Sequence, residues 1–345
     1  MKPVARALLS IALCLLVAGA GLLWFGQRWI TQGVDQAGPH TAVVRIEVPA
    51  GASARSVLRR LQESGAVADP EAAQWWLRLQ GRDLRMRVGN YDIPAGASVR
   101  EALRRIAAGE VVLESLTIVE GWTFAQMRRA VEAHPAVRVT LRDRSPEELM
   151  AMLDLPGVHP EGRFFPDTYR FAAGTTDLDL YRLAQRQLER ALAAAWEARA
   201  PDLPVQSPQE LLVLASIVEK ETGQPAERAR VAGVFVLRLR IGMRLQSDPT
   251  VIYGIGDAYD GDIRTRDLRA DTPYNTYTRN GLPPTPIALV GREALLATSQ
   301  PNVTGDLFFV ATGDADGAHV FTRTYPEHQA AVKRMLERQR ARGLL

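Results

Sequence analysis

The sequence predicts an α+β protein carried on an N-terminal transmembrane helix. Three observations lead there: an apolar run opens the chain, a strand-turn-helix pattern then recurs, and helical patterning dominates the remainder. At 345 residues the chain exceeds the usual size of one domain, so an anchor followed by separate modules is the natural division. We place a cytoplasmic N-terminus at 1–6, the anchor at 7–29, a small repeat module at 44–114, a connecting α+β and helical region at 115–206, and a larger, mostly helical α+β domain at 207–345. Hydrophobic residues at 46% and charged residues at 23% are ordinary globular values, which exclude a disordered or low-complexity protein.

Lys2 and Arg6 precede roughly twenty uncharged, mostly apolar residues, Ala7 to Gly26, a length that spans a bilayer. These early charges, with the terminal amine, outweigh Arg28 beyond the run, so the N-terminus stays cytoplasmic and the rest is exported. Trp24 and Trp29 then fall near the outer interface. A cleaved signal peptide is the competing reading, because Ala18-Gly19-Ala20 resembles a processing site, but the apolar run continues through Leu22, Leu23, Trp24 and Phe25. Cys14 is the only cysteine and lies inside this run, which excludes a cysteine nucleophile, a zinc–cysteine site, an iron–sulfur cluster and a disulfide in the exported part. The formal net charge is only +3, and pairs such as Arg59-Arg60, Arg104-Arg105 and Arg128-Arg129 read as solvated helix faces, so no nucleic-acid partner is expected.

Ile46 to Leu61 (IEVPAGASARSVLRRL) aligns with Tyr91 to Ile106 (YDIPAGASVREALRRI). Each copy reads as a strand, a Pro/Gly turn and a helix with Ser at its N-cap, and Ser98 with Glu101 predicts a capping box. A looser third version, Thr117 to Ala130, repeats the relation with Thr123 and Gln126. Such small units bury a face only against one another, so they predict one compact module, serving in binding or as a spacer. Further on, Ser145-Pro146-Glu147-Glu148 starts a capped helix, and Leu178 to Ala198 reads as an amphipathic one.

The candidate catalytic residue lies on the helix that opens at Ser207-Pro208-Gln209-Glu210 and stops at Gly223. At about 100° per residue, Gln209, Ser216, Glu219 and Lys220 share one face and Leu211, Leu214, Ile217 and Val218 the other. Glu219 on the polar face reads as a surface residue, whereas Glu221 falls on the apolar side, in the last turn. Burial and the negative end of the helix dipole both push a carboxyl pKa upward, as a general acid near neutral pH requires. An ion-paired or rim-exposed structural glutamate is the alternative.

Two downstream segments, Arg238 to Gly254 (RLRIGMRLQSDPTVIYG) and Tyr274 to Ile287 (YNTYTRNGLPPTPI), gather amides, hydroxyls and Tyr rings. Gln246, Ser247, Asp248, Tyr274, Asn275 and Tyr277 are the candidate substrate-binding residues, since amides and hydroxyls pair with sugar hydroxyls while aromatic faces stack on a pyranose. Turn-forming roles, including a helix cap at Asp248-Pro249, compete with this reading for each residue singly. There is no GxSxG, Walker A or HExxH motif, and the five His residues lack metal-ligand spacing, so neither a metal nor an organic cofactor is expected.

These segments, with ASIVEKET (215–222), EGRFFPDTY (161–169), LFFVATGD (307–314) and HVF (319–321), resemble the endolytic murein transglycosylases of the MltG/YceG-like family across essentially the whole exported chain. The resemblance implies a single-pass inner-membrane protein with a LysM-like module and a periplasmic catalytic domain. It implies that the second glutamate of EKET, Glu221, is catalytic, cutting the glycosidic bond between N-acetylmuramic acid and N-acetylglucosamine to leave a 1,6-anhydro end. It also implies peptidoglycan glycan strands as substrate and a link to penicillin-binding peptidoglycan synthases. One departure is Leu237, where relatives often carry Asn before Arg-Leu, so no role for that Asn is carried over.

Overall fold

The computed structural model describes residues 2–49, 51–80, 85–314 and 317–343; Ala50 of the first repeat copy lies outside them. The chain divides into two compact units, Met1–Glu114 with Arg170–Gly174, and Ser115–Tyr169 with Thr175–Leu345.

The first unit opens with α1 (Lys2–Asp35), whose segment Leu8–Asp35 is long and apolar enough to cross a membrane. From Leu8 to Phe25 its large apolar side chains are exposed, whereas Ile30 packs against the core of the unit and Val34 is fully buried in it. The helix therefore runs unbroken beyond the expected end of the span at Trp29. β1 (Val44–Val48) is followed by α2 (Ala54–Glu63) and α3 (Pro70–Gln80), then β2 (Gly89–Ile93) and α4 (Val99–Ala108). β1 and β2 pair antiparallel with Ile46 opposite Tyr91, and alternate residues of both strands, Ile46, Val48, Tyr91 and Ile93, face the core. The repeat is thus a real structural repeat: Ser53 and Ser98 cap α2 and α4, and the turn glycines Gly51 and Gly96 both hold positive φ, +74° and +70°. α3, which no local signal announced, is inserted between the copies and packs on α1 and α2. The expected capping box at Ser98 is half made. Ser98 accepts from the Glu101 N–H at 3.3 Å, but the Glu101 carboxylate turns to Arg104 and Arg105.

The chain passes between the units within β3 (Leu113–Thr117). α5 (Phe124–Ala133) and α6 (Pro146–Met152) follow, both with complete capping boxes, from Thr123/Gln126 and Ser145/Glu148. β4 (Thr168–Ala172) pairs with β3. Next come α7 (Asp177–Glu197), α8 (Pro208–Glu221), α9 (Pro225–Arg240), α10 (Asp248–Ile255), α11 (Thr265–Arg269) and α12 (Arg292–Ser299). An antiparallel hairpin of β5 (Phe308–Ala311) and β6 (His319–Thr322) packs under α13 (Tyr325–Ala341).

The core of the second unit is built around α8, against which α7, α9, α10 and α12 pack. Leu211 to Val218 are all buried, so this helix has no solvent face. The polar stripe read from its periodicity is turned inward. Ser216 is fully buried, donates to Val213 O at 2.7 Å and accepts from the Ile287 N–H at 3.0 Å. Glu219, expected on the surface, is half-buried, accepts from the Gly291 N–H at 2.9 Å, and has its pKa raised chiefly by that burial. Lys220 donates to Gly121 O at 3.3 Å. The stripe is polar because it ties three loops to a buried helix, and periodicity alone does not distinguish that from solvation.

On α9, a Cβ at Gly233 would lie 2.1 Å from the Asn302 carbonyl oxygen. We predict that Gly233→Ala destabilises the folded chain by about 1–3 kcal/mol or more through overpacking against backbone, read as a lowered thermal midpoint.

Candidate active site

Glu221 is the last residue of α8, and its side chain lines a cleft of about 260 Å³ with Arg238, Gln246, Asp248, Tyr277, Phe308, Phe309, Tyr325 and His328. The helix must stop there: Thr222 is extended and Pro225 begins α9. Burial pushes the Glu221 carboxyl up to about 7. The neighbouring Asp248 adds to the rise, while a hydrogen bond from Ser247 and the charge of Arg238 oppose it. Ser247 Oγ donates to Glu221 Oε1 at 2.5 Å, and Ser247 is itself 1% exposed. That bond fixes one carboxyl oxygen and leaves Oε2 to carry an exchangeable proton.

The loop before α10 brings Ser247 to this point. Gln246 adopts a left-handed φ of +50°, and its N–H donates to Thr276 O at 3.1 Å. The Ser247 N–H donates to Thr276 Oγ1 at 3.0 Å, so a short span of the second polar segment clamps the first. Tyr277 OH donates to Asp248 Oδ1 at 2.5 Å, holding that carboxylate in the same cleft.

Of the six candidate binding residues, Gln246, Asp248 and Tyr277 line the cleft, and Ser247 lies behind Glu221. Asn275 and Tyr274 are engaged elsewhere. Asn275 is 1% exposed; its Nδ2 donates to Asp267 O, Leu268 O and Ala270 O, and its Oδ1 accepts from the Tyr277 N–H. This is the turn-holding role, with no amide capacity left for a sugar. Tyr274 pairs its hydroxyl with Thr285 and packs edge-on against Tyr253, with ring centroids 4.8 Å apart.

Arg238 was quoted in a motif but given no role by the sequence. It is 6% exposed, and its guanidinium donates to the carbonyls of Leu307, at 2.7 Å, and of Leu245. Its position on a buried helix, one residue after Leu237, was the available signal. Phe308, Phe309, Tyr325 and His328 come from β5 and α13, far along the chain, and only the fold assembles them beside Glu221.

A second raised carboxyl lies within the same unit. Glu161, from the EGRFFPDTY segment, is 3% exposed, and burial pushes it up to about 7. It accepts from the Phe124 N–H at 2.9 Å and from Tyr253 OH at 3.2 Å. Tyr253 is on α10, whose opposite end presents Ser247 and Asp248 to the cleft.

Fold and site define a mixed α/β chain whose cleft offers a carboxyl able to exchange a proton near neutrality, with no metal-binding cluster among the described residues. Sequence makes the class specific. The model of the YceG-like family matches residues 46–334, and the chain belongs to that family. It is 28% identical over 310 residues to the endolytic murein transglycosylase of Bacillus subtilis, covering 85% of each chain. It is 25% identical over 335 residues to the endolytic murein transglycosylase of Streptococcus pneumoniae, covering 87% of this chain but 60% of that one. Among solved structures, a YceG-like protein from Listeria monocytogenes matches 84% of this chain and 99% of its own, with a TM-score of 0.55 and 26% identity.

The buried carboxyls make stability fall as pH rises. Each holds its proton up to about 7 in the folded state against an ordinary 4.5, so unfolding releases a proton between those values, and stability present below that window is lost through it. Glu161→Gln keeps the acceptor for Phe124 and removes the ionisation. Its unfolding free energy should decline less between about pH 5 and 7 than that of the native chain, by on the order of a few kcal/mol. Glu161→Ala, which strands the Phe124 N–H and the Tyr253 hydroxyl, should cost about 1–3 kcal/mol at pH 5.

Proposed function

We propose that this chain is an endolytic peptidoglycan lytic transglycosylase, anchored in the bacterial inner membrane by α1 with its N-terminus cytoplasmic and its remainder periplasmic. The observation that carries the reading is Glu221: a half-buried carboxyl at the end of a buried helix, raised to about 7, facing a cleft with polar and aromatic lining. Membership of the YceG-like family and two relatives named endolytic murein transglycosylase support the same chemistry.

In this mechanism protonated Glu221 donates from Oε2 to the glycosidic oxygen between N-acetylmuramic acid and N-acetylglucosamine. The C1–O bond breaks and positive charge develops at C1 of the muramic residue. The resulting carboxylate then takes the proton of the muramic C6 hydroxyl, whose oxygen attacks C1 and closes the 1,6-anhydro ring. The carboxyl is regenerated, no water is consumed, and one carboxyl serves as acid and then base. Ser247 keeps Oε1 engaged throughout, and the Arg238 charge favours the transient carboxylate. Gln246, Asp248 and Tyr277 are the proposed polar contacts to the strand.

The β1–α2 and β2–α4 pair is the proposed LysM-like module, and residues 207–345 the proposed catalytic domain, with 115–206 connecting them. Anchoring confines cutting to strands near the membrane, which suits ending or trimming glycan chains as penicillin-binding synthases extend them.

The purified chain, digesting uncrosslinked glycan strands, should give 1,6-anhydro-ended fragments by mass spectrometry, and Glu221→Gln should lose at least 10²-fold in rate. Reducing ends would instead assign a hydrolase using Asp248, and cleavage retained by Glu221→Gln would remove the reading altogether. Because the donor must be protonated, the turnover number should fall as pH rises through about 7.

A further inference from the structure

The cleft carries aromatic rings that this mechanism does not use. Phe308 comes from β5, and Tyr325 and His328 from the first turn of α13. Phe308 and His328 stack, with centroids 5.2 Å apart and planes at 22°; Tyr325 lies 5.9 Å from Phe308 and 6.4 Å from His328. Arg238 holds its guanidinium 5.5 Å from the Phe308 centroid, so this group is continuous with the surroundings of Glu221.

Tyr325 is 58% exposed, and so contributes little to the core. Its backbone is nevertheless fixed. Thr324 caps α13, and the Glu327 carboxylate accepts from the N–H groups of Thr324 and Arg323 at 3.0 and 3.1 Å. An exposed ring on a rigid helix start is a preorganised contact surface, since a ligand meeting it has little backbone freedom left to quench.

The chemistry of the surface selects its occupant. A pyranose of gluco configuration in a β-1,4 chain carries its substituents equatorially, so each face presents only axial C–H groups, and such faces stack on aromatic rings. The opposite side of the cleft, Gln246, Asp248 and Tyr277, supplies the amide, carboxylate and hydroxyl that equatorial groups at a ring's edge require. We infer that Tyr325, supported by Phe308 and His328, is a stacking subsite for an N-acetylhexosamine ring of the glycan strand beside the bond that is cut. This deepens the transglycosylase reading and rests on it.

The test measures binding without turnover. In the Glu221→Gln chain, affinity for uncrosslinked glycan oligosaccharides is determined by calorimetry with and without a second change at Tyr325. Tyr325→Ala should weaken binding about tenfold or more, whereas Tyr325→Phe and Tyr325→Trp should stay within about twofold of the parent. With Glu221 intact, Tyr325→Ala should raise KM and still yield anhydro ends. Unchanged affinity in Tyr325→Ala would overturn the subsite. A loss that Tyr325→Phe shares equally would assign the contact to the hydroxyl and overturn stacking. Retained cleavage by Glu221→Gln alone would instead sink the transglycosylase reading, and the affinities of the Tyr325 variants would still decide whether the ring binds glycan.

Discussion

A helix with no solvent face cannot leave a polar group unpaired, and α8 imposes that condition on everything packed around it. Ser216, Glu219 and Lys220 each meet a backbone group of a surrounding loop, at Ile287, Gly291 and Gly121. Loops that would otherwise be mobile are thereby pinned to the most buried element of the unit. The same burial acts on Glu221, the one carboxyl of the helix that faces the cleft. Its partner is a hydroxyl, with no cation in direct contact, so its proton is held rather than lost. Stability and reactivity are two consequences of one packing decision, and they oppose each other, because the raised carboxyl makes folding less favourable as pH rises.

α10 is held at both ends by carboxyls of this kind. Its first turn presents Asp248 and follows Ser247, which bonds Glu221, while Tyr253 near its last turn bonds the buried Glu161. A short helix has little stability of its own, so its position is set by such tethers. The Glu161 contact matters to the site through geometry: it fixes the element that fixes Ser247. Its conservative variant, which keeps both hydrogen bonds possible, should therefore disturb the cleft far less than a truncation does.

What was legible in the sequence was local. The Pro-Ala-Gly-Ala-Ser turns forecast two strand-turn-helix copies because a positive-φ glycine and a Ser cap act within a few residues, and both copies are built that way. Glu221 drew attention because a carboxyl on an apolar helical face is anomalous without any tertiary knowledge. Glu219 was misplaced because a polar stripe looks the same whether it meets water or buried loop N–H groups. Asn275 and Tyr274 carry the right chemistry for a sugar, but Asn275 gives its amide to three main-chain carbonyls and Tyr274 turns to Thr285. Arg238, Phe308, Tyr325 and His328 were beyond reach, since separate elements converge on the cleft only after the hairpin and α13 are in place.

The anchor helix follows the same logic in the first unit. A tether joined to its module by a flexible linker would leave the module free to tumble, whereas α1 enters the module's core without interruption. Val34 is fully buried, the Gly33 backbone sits so close to Ala72 that an added Cβ would lie 2.4 Å from its methyl, and Asp35 pairs with Arg100 at 2.5 Å. The close approach is possible only because residue 33 has no side chain. With α1 in the bilayer, as proposed, the β1–β2 module is held at a set height and rotation above the membrane. A substitution at Gly33 would then loosen the coupling between span and module without touching the apolar run that crosses the lipid.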